Sequence, residues 1–153
     1  MKILDILKVD SIVPELKGRN KKQVLEELID AVKQNKPHID RDRFIKVLLE
    51  RERLGSTGIG DGIAIPHGKM SGIDDLVLSF GRSSEGIDFE SMDGKPVHLF
   101  FLLAAPEACA GVHLRVLAKI ARLLKNGAVR KKLAKVDNRD DIFSIIEQED
   151  EEF

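Results

Sequence analysis

The sequence predicts a single α/β domain, and three observations lead there. Segments whose apolar residues recur at helical spacing alternate with short apolar runs of strand type. No internal repeat or low-complexity linker divides the chain. Its 153 residues, 42% of them hydrophobic, suffice for one ordinary core, so residues 1–153 are expected to form one unit.

The elements follow in order. A short amphipathic opening around Ile3, Leu4, Ile6 and Leu7 comes first. Asn20 then offers a side-chain cap to a helix whose Val24, Leu25, Leu28, Ile29 and Val32 share one face, and Lys36-Pro37 stops it. Asp40 caps a second helix with Phe44, Val47 and Leu48 inward, ending at Gly55, a residue type suited to the position after a helix end. Strand-like runs occupy 63–65, 76–80 and 97–103, with Asp93-Gly94 as a turn before the last. A long helix over 112–125 and a final one around 142–146 complete the pattern, and the acidic end, 146–153, is expected to fray.

Charge and cysteine content narrow the function classes. Twenty-five basic residues against 26 acidic ones give a net charge of −1, which favours neither nucleic acid nor an anionic membrane as partner. Cys109 is the single cysteine and has no disulfide partner within the chain. The N-terminus has neither a secretory apolar region nor a spanning segment, so the cytoplasm is the expected compartment.

The segment 55–69, GSTGIGDGIAIPHGK, carries the chemistry. Ile63, Ala64 and Ile65 read as a brief buried strand, and Pro66, with no N–H to give, is expected to end its pairing and deliver His67 to the sheet rim. Gly55, Gly58, Gly60, Gly62 and Gly68 permit positive φ and close backbone approach, and Ser56 and Thr57 add hydroxyls, a combination suited to a phosphoryl group. Three other glycine-loop readings fail on spacing. Five residues, not four, separate Gly62 from Gly68, and Met70 follows Lys69, which excludes a Walker A loop. Gly58 and Gly60 are followed by Ile63 where a dinucleotide fingerprint needs its third glycine, and G-x-S-x-G occurs nowhere. What remains is a histidine beside an anion cradle.

This stretch closely resembles the phosphorylation-site signature of the fructose/mannitol-type (type 2) enzyme IIA domains of the bacterial phosphoenolpyruvate-dependent sugar phosphotransferase system, including their nitrogen-regulatory branch. The match runs through Arg51 and Glu52, Gly55-Ser56-Thr57-Gly58-Ile59-Gly60, Gly62, and Ala64-Ile65-Pro66-His67-Gly68. The family's second motif, a helix carrying His-Leu followed by apolar residues, is similar to His113-Leu114 with Val116, Leu117 and Ile120. The resemblance implies a three-layer sandwich with a mixed β-sheet flanked by helices on both faces. It implies His67 as phosphoryl acceptor, His113 as stabiliser of the phosphoryl oxygens and Arg51 as a phosphate-facing cation. On spacing alone, a helix-start residue facing water is the leading reading of His113 over a phosphate-facing one, and Arg51 fits a surface residue complementing a helix dipole equally well. Ser56, Thr57, Gly58 and Gly68 are the candidate phosphate-binding residues, with mere turn formation as the alternative for the two hydroxyls.

The chemistry is sound without the family. A neutral imidazole accepts a phosphoryl group through its unprotonated nitrogen while the other nitrogen donates a hydrogen bond that sets the tautomer. The loose transition state of phosphoryl transfer then asks the protein for alignment and for charge on the equatorial oxygens. No metal is expected, because a His67, His98 and His113 cluster lacks H-E-x-x-H or close carboxylate spacing, and no cofactor is called for. His98 within a strand reads as hydrogen-bonded or solvent-facing, His38 as a surface residue, and Cys109 as a small helix-entry residue without the partners of a catalytic cysteine. The resemblance implies HPr, the histidine-containing phosphocarrier protein, or its nitrogen-branch paralogue as donor. It implies either regulatory target proteins or the cysteine of an enzyme IIB domain as the onward partner. Because the sequence contains no IIB, IIC or HPr-like segment, the expectation leans to a nitrogen-regulatory role over sugar transport. The variable family loop that helps set partner contacts corresponds to 104–112.

Overall fold

The structure is a computed structural model that describes residues 1–150. A 3-10 turn (Ile3–Asp5) leads into β1 (Leu7–Val13), followed by α1 (Lys21–Lys33), α2 (Arg41–Arg53), β2 (Gly58–Gly60), β3 (Ile63–Ala64) and β4 (His67–Met70). Then come β5 (Val77–Ile87), β6 (Val97–Pro106), α3 (Val112–Lys125), α4 (Gly127–Lys135) and α5 (Arg139–Glu149). The strands form one mixed sheet in the order β1-β5-β6-β3-β2, with β4 also paired to β6. β1 runs parallel to β5, β3 and β4 run parallel to β6, and β5–β6 and β2–β3 are antiparallel.

The long strand β6 explains the layering. Its run of apolar residues looks featureless, yet alternate side chains enter different cores. Leu99, Phe101, Leu103 and Ala105 pack with Val116, Ile120 and Leu124 of α3, Val129 and Leu133 of α4, and Ile142 and Ile146 of α5. Phe100, Leu102 and Ala104 pack with Val24, Leu25, Leu28 and Ile29 of α1 and Phe44 and Leu48 of α2. Helices on both faces make the expected three-layer α/β sandwich. Close approach of α1 needs small residues on β5: Ser79 Oγ donates to the Leu28 carbonyl at 2.8 Å, and a Cβ on Gly81 would stand 2.9 Å from Leu16 and Leu28 side chains.

Both predicted caps are made. The side chain of Asn20 accepts from the Gln23 amide and that of Asp40 from the Arg43 amide. The expected fraying of 146–153 does not hold for its described part. Ile146 is fully buried, α5 continues to Glu149, and the buried Asp150 carboxylate accepts from the amides of Ile3 at 2.8 Å and Leu4 at 2.9 Å. Residues 151–153 of that expectation lie outside the described residues. No helix among the described residues is long and apolar enough to cross a membrane.

Candidate functional site

Pro66 interrupts strand pairing and does not end it. Paired with β6 up to Ala64, the chain skips Ile65 and Pro66 and resumes at His67, which stands opposite Leu103 as the first residue of β4. The carbonyl of Pro66 still accepts from the Leu103 amide at 3.0 Å, because proline lacks only the donor. His67 is thus anchored by sheet pairing rather than left on a loose rim. Its Nδ1 lies 2.9 Å from the carbonyl oxygen of Ile65. A carbonyl only accepts, so Nδ1 carries the proton and Nε2 keeps the lone pair. Burial pushes the His67 pKa below its ordinary value, and the Arg51 and His113 charges add to this against the opposing Ile65 carbonyl and Glu52.

His67 opens into a pocket of about 590 Å³ that it shares with Arg51, Arg53, Lys69, Glu50, His113 and Gly68, over apolar walls from Val47, Leu54, Leu103 and Ala105. Arg51 reaches it from the last turn of α2, with Nη1 donating to the Gly55 carbonyl at 2.8 Å. His113 enters at the second residue of α3, with its Nδ1 3.0 Å from Cys109 Sγ. Burial and the nearby Lys69 ammonium lower its pKa. Gly68 has a packing reason of its own: a Cβ there would come within 2.7 Å of Val47 Cγ1 on α2.

Ser56, Thr57 and Gly58 are not brought to this pocket. Ser56 Oγ donates to the Phe89 carbonyl at 2.7 Å and accepts from the Gly58 amide at 3.0 Å. The Thr57 amide donates to Glu52 Oε1 at 3.1 Å and its hydroxyl donates to Glu52 Oε2. Gly58 packs against Ser91, whose Cα would lie 3.0 Å from an added Cβ. Gly60 and Gly62 belong to a hairpin instead of a cradle: Asp61 (φ 57°) and Gly62 (φ 77°) form a two-residue connection between β2 and β3, both at positive φ. This is the Asp-Gly chemistry that tight antiparallel turns require. Sequence reasoning therefore credited the anion with glycines that the backbone needs.

It also gave no role to Glu52, named only as part of the family match, or to Lys69. Glu52 has a side chain only 4% exposed and also receives Lys21 Nζ at 3.2 Å, so it ties the glycine segment to α1. The signal was an acidic residue on the inward face of α2, four positions after Leu48. Lys69 follows Gly68 directly and lines the pocket. His98 stands elsewhere, its Nδ1 2.8 Å from the Ser83 carbonyl, and exposed His38 has Nε2 3.1 Å from the Gly72 carbonyl. Among the described residues no group of three or more His, Cys, Asp or Glu is placed to hold a metal ion.

The chain is similar to known proteins at several levels of identity. A nitrogen regulatory protein of Bradyrhizobium diazoefficiens is 44% identical over 146 residues, covering 95% of each chain. A fructose-specific EIIA component of Haloferax volcanii is 34% identical over 149 residues, covering 94% of this chain and 97% of its own. The chain spans only 24% of the fructose-specific EIIABC component of Bacillus subtilis, with 37% identity over 150 residues. Among solved structures, the nitrogen regulatory protein IIA-Ntr of Neisseria meningitidis superposes with a TM-score of 0.86 at 34% identity, covering 93% of this chain and 97% of that one. The family model described as "Phosphoenolpyruvate-dependent sugar phosphotransferase system, EIIA 2" matches residues 5–149, a span that contains β1 to α5 and every residue lining the His67 pocket. With that span and these relatives, the chain belongs to the type 2 enzyme IIA family of the phosphoenolpyruvate-dependent phosphotransferase system.

Proposed function

We propose that this protein is a phosphohistidine carrier acting in the nitrogen-regulatory branch of the phosphotransferase system, with His67 Nε2 as the acceptor. One observation carries the reading: the Nδ1–H of His67 is engaged by the Ile65 carbonyl, which leaves Nε2 as a lone-pair nucleophile in a pocket shared with Arg51 and His113. The donor is a phosphohistidine on HPr or on its nitrogen-branch paralogue. The phosphorus–nitrogen bond to the donor imidazole breaks as the bond to His67 Nε2 forms, and the donor nitrogen keeps its electron pair. Arg51 and His113 stabilise the charge on the equatorial oxygens. The compartment is the cytoplasm, where the donor resides.

A regulatory output follows from charge. Phosphorylation adds roughly two negative charges at pH 7. On a rim bearing Arg51, Arg53 and Lys69 with Leu54, 86% exposed, that change suffices to create or abolish a docking surface for a target protein. The similarity to a fructose-specific EIIA component over nearly the whole chain favours a second reading, in which the phosphoryl group passes to the cysteine of a IIB domain.

Incubated with phosphoenolpyruvate, enzyme I and HPr or the paralogue, the protein gains one acid-labile, alkali-stable phosphate, and His67→Ala gains none. Stoichiometric labelling of His67→Ala would refute the acceptor assignment. Rapid, complete transfer to one IIB domain, with no target protein distinguishing the two forms, would put transport ahead of regulation.

A further inference from the structure

We infer that Cys109 is a positioning residue for phosphoryl transfer: its thiol donates to Nδ1 of His113 and holds that imidazole in the tautomer whose Nε2–H is free to serve the phosphoryl oxygens. The inference rests on the carrier reading above and extends it to a residue that sequence reasoning set aside as a small side chain at a helix entry.

The geometry is local and tight. Cys109 lies in the segment between β6 and α3, partly buried against the core beneath α3, with its sulfur 3.0 Å from His113 Nδ1. The turn holding it is defined by its own carbonyl, which accepts from the Val112 amide at 3.1 Å, and by Ala110 and Gly111, both at positive φ (52° and 83°). Gly111 is the N-cap residue before α3, so the sulfur and the histidine ring belong to one compact entry to the helix.

Two arrangements of the proton are available. Nδ1–H donating to sulfur would pair a good donor with a poor acceptor. S–H donating to Nδ1 uses the imidazole lone pair, a far better acceptor than sulfur, and is the stronger of the two. A neutral imidazole has one N–H, so accepting at Nδ1 places it on Nε2. Passage of the thiol proton to the ring, giving a thiolate and an imidazolium, leaves Nε2–H in place as well. Either way the nitrogen remote from Cys109 is a donor.

The two histidines are then complementary. By accepting from Nδ1–H, the Ile65 carbonyl favours the His67 tautomer whose Nε2 is an unprotonated nucleophile, whereas the Cys109 thiol keeps a proton on Nε2 of His113 and makes it an oxyanion donor. Opposite partners, an acceptor on one Nδ1 and a donor on the other, give the two rings opposite roles. In the wrong tautomer, His113 would direct a lone pair at the phosphoryl oxygens.

The test compares the parent protein with Cys109→Ala and Cys109→Ser. Ring-nitrogen NMR on the unphosphorylated protein is expected to show His113 with a pyridine-like Nδ1 and a protonated Nε2. Cys109→Ala is expected to populate the Nδ1–H form and to slow transfer from phosphorylated HPr about fivefold, as loss of one hydrogen bond brings. Serine, which still offers O–H to Nδ1, is expected to restore both the tautomer and most of the rate. A parent His113 protonated at Nδ1, or a Cys109→Ala protein with tautomer and rate unchanged, would overturn the inference. Because the NMR comparison needs no phosphate, failure of His67 labelling would remove the carrier reading and the transfer role while leaving the His113 tautomer readable, and an unchanged Cys109→Ala protein would remove the inference with His67 labelling intact.

Discussion

Replacing Glu52 by alanine tests whether the glycine-rich segment is held by a buried carboxylate. That carboxylate accepts from the Thr57 amide at 3.1 Å, from the Thr57 hydroxyl, and from Lys21 Nζ at 3.2 Å, with its own side chain 4% exposed. Truncation would leave a buried amide and hydroxyl without their partner and a largely buried ammonium with one neighbour fewer. Removing one partner of a buried ion pair typically costs about 3–5 kcal/mol. Lys21 keeps Glu90 at 3.2 Å and the Phe89 ring at 4.6 Å, so its charge is not stranded, which places the loss at the low end, about 3 kcal/mol. For a domain of this size that corresponds to a melting temperature lower by roughly 6–12 °C. Thermal unfolding of Glu52→Ala, of Lys21→Ala and of the double variant measures it, and the two losses are expected to be clearly non-additive. A drop below about 2 °C, or strict additivity, would show that the carboxylate is a bystander.

Three further outcomes are expected. His113→Ala and Arg51→Ala each slow transfer from phosphorylated HPr by about a hundredfold while leaving the endpoint labelling of His67 intact, as rapid-quench kinetics can show; parental rates in both folded variants would reduce the site to His67. The acid limb of the transfer rate lies below the ordinary histidine value of 6.5, because the nucleophile is the neutral ring and burial holds the His67 pKa down, so the neutral form persists to lower pH; an NMR titration midpoint for His67 at or above 6.5 would contradict this. Gly68→Ala destabilises by about 1–3 kcal/mol because its Cβ would press on Val47 Cγ1, and Val47→Ala added to it recovers part of the loss in a denaturant titration; equal stability of Gly68→Ala and parent would refute the packing argument.

Much of the frame was legible because its signals are local. Asn20 and Asp40 cap the helices they were expected to cap, and α3 covers the predicted 112–125. The expected strands 76–80 and 97–103 are the starts of longer ones, β5 and β6. The misses have physical causes. β1 (Leu7–Val13) follows apolar residues that mimic helical spacing, and its identity as a strand comes from pairing with β5 far along the chain. α4 buries only Val129 and Leu133 in a lysine-rich stretch, which leaves a faint periodic trace. Asp150 gave no sign of order because its partners, the amides of Ile3 and Leu4, lie at the opposite end of the sequence. At the site, residue identity pointed to His67 and the family resemblance to Arg51 and His113, and the fold does bring the three to one pocket. It misled on Ser56, Thr57 and Gly58, since hydroxyls and glycines beside a histidine look alike whether they hold an anion or hold the backbone.

Those residues still bear on His67, through hydrogen bonds. The Glu52 carboxylate holds the Thr57 amide and hydroxyl; the Thr57 carbonyl accepts from the Ile65 amide at 3.1 Å; and the Ile65 carbonyl accepts from His67 Nδ1 at 2.9 Å. Thr57 and Ile65 each use both their amide N–H and their carbonyl, so an unbroken series of hydrogen bonds and single residues runs from Lys21 and Glu52 to the imidazole. The Asp61-Gly62 hairpin is what allows it, because only a turn this short brings β2 back beside β3 in time for Thr57 to face Ile65. The glycine-rich signature thus serves the histidine by fixing the carbonyl that selects its tautomer. Loosening Glu52 should therefore reach the nucleophile as well as the fold. In Glu52→Ala, measured below its melting temperature, the Nδ1–H population of His67 is expected to fall and the transfer rate to fall with it, whereas a destabilised protein with an unaltered His67 tautomer and rate would confine Glu52 to stability alone.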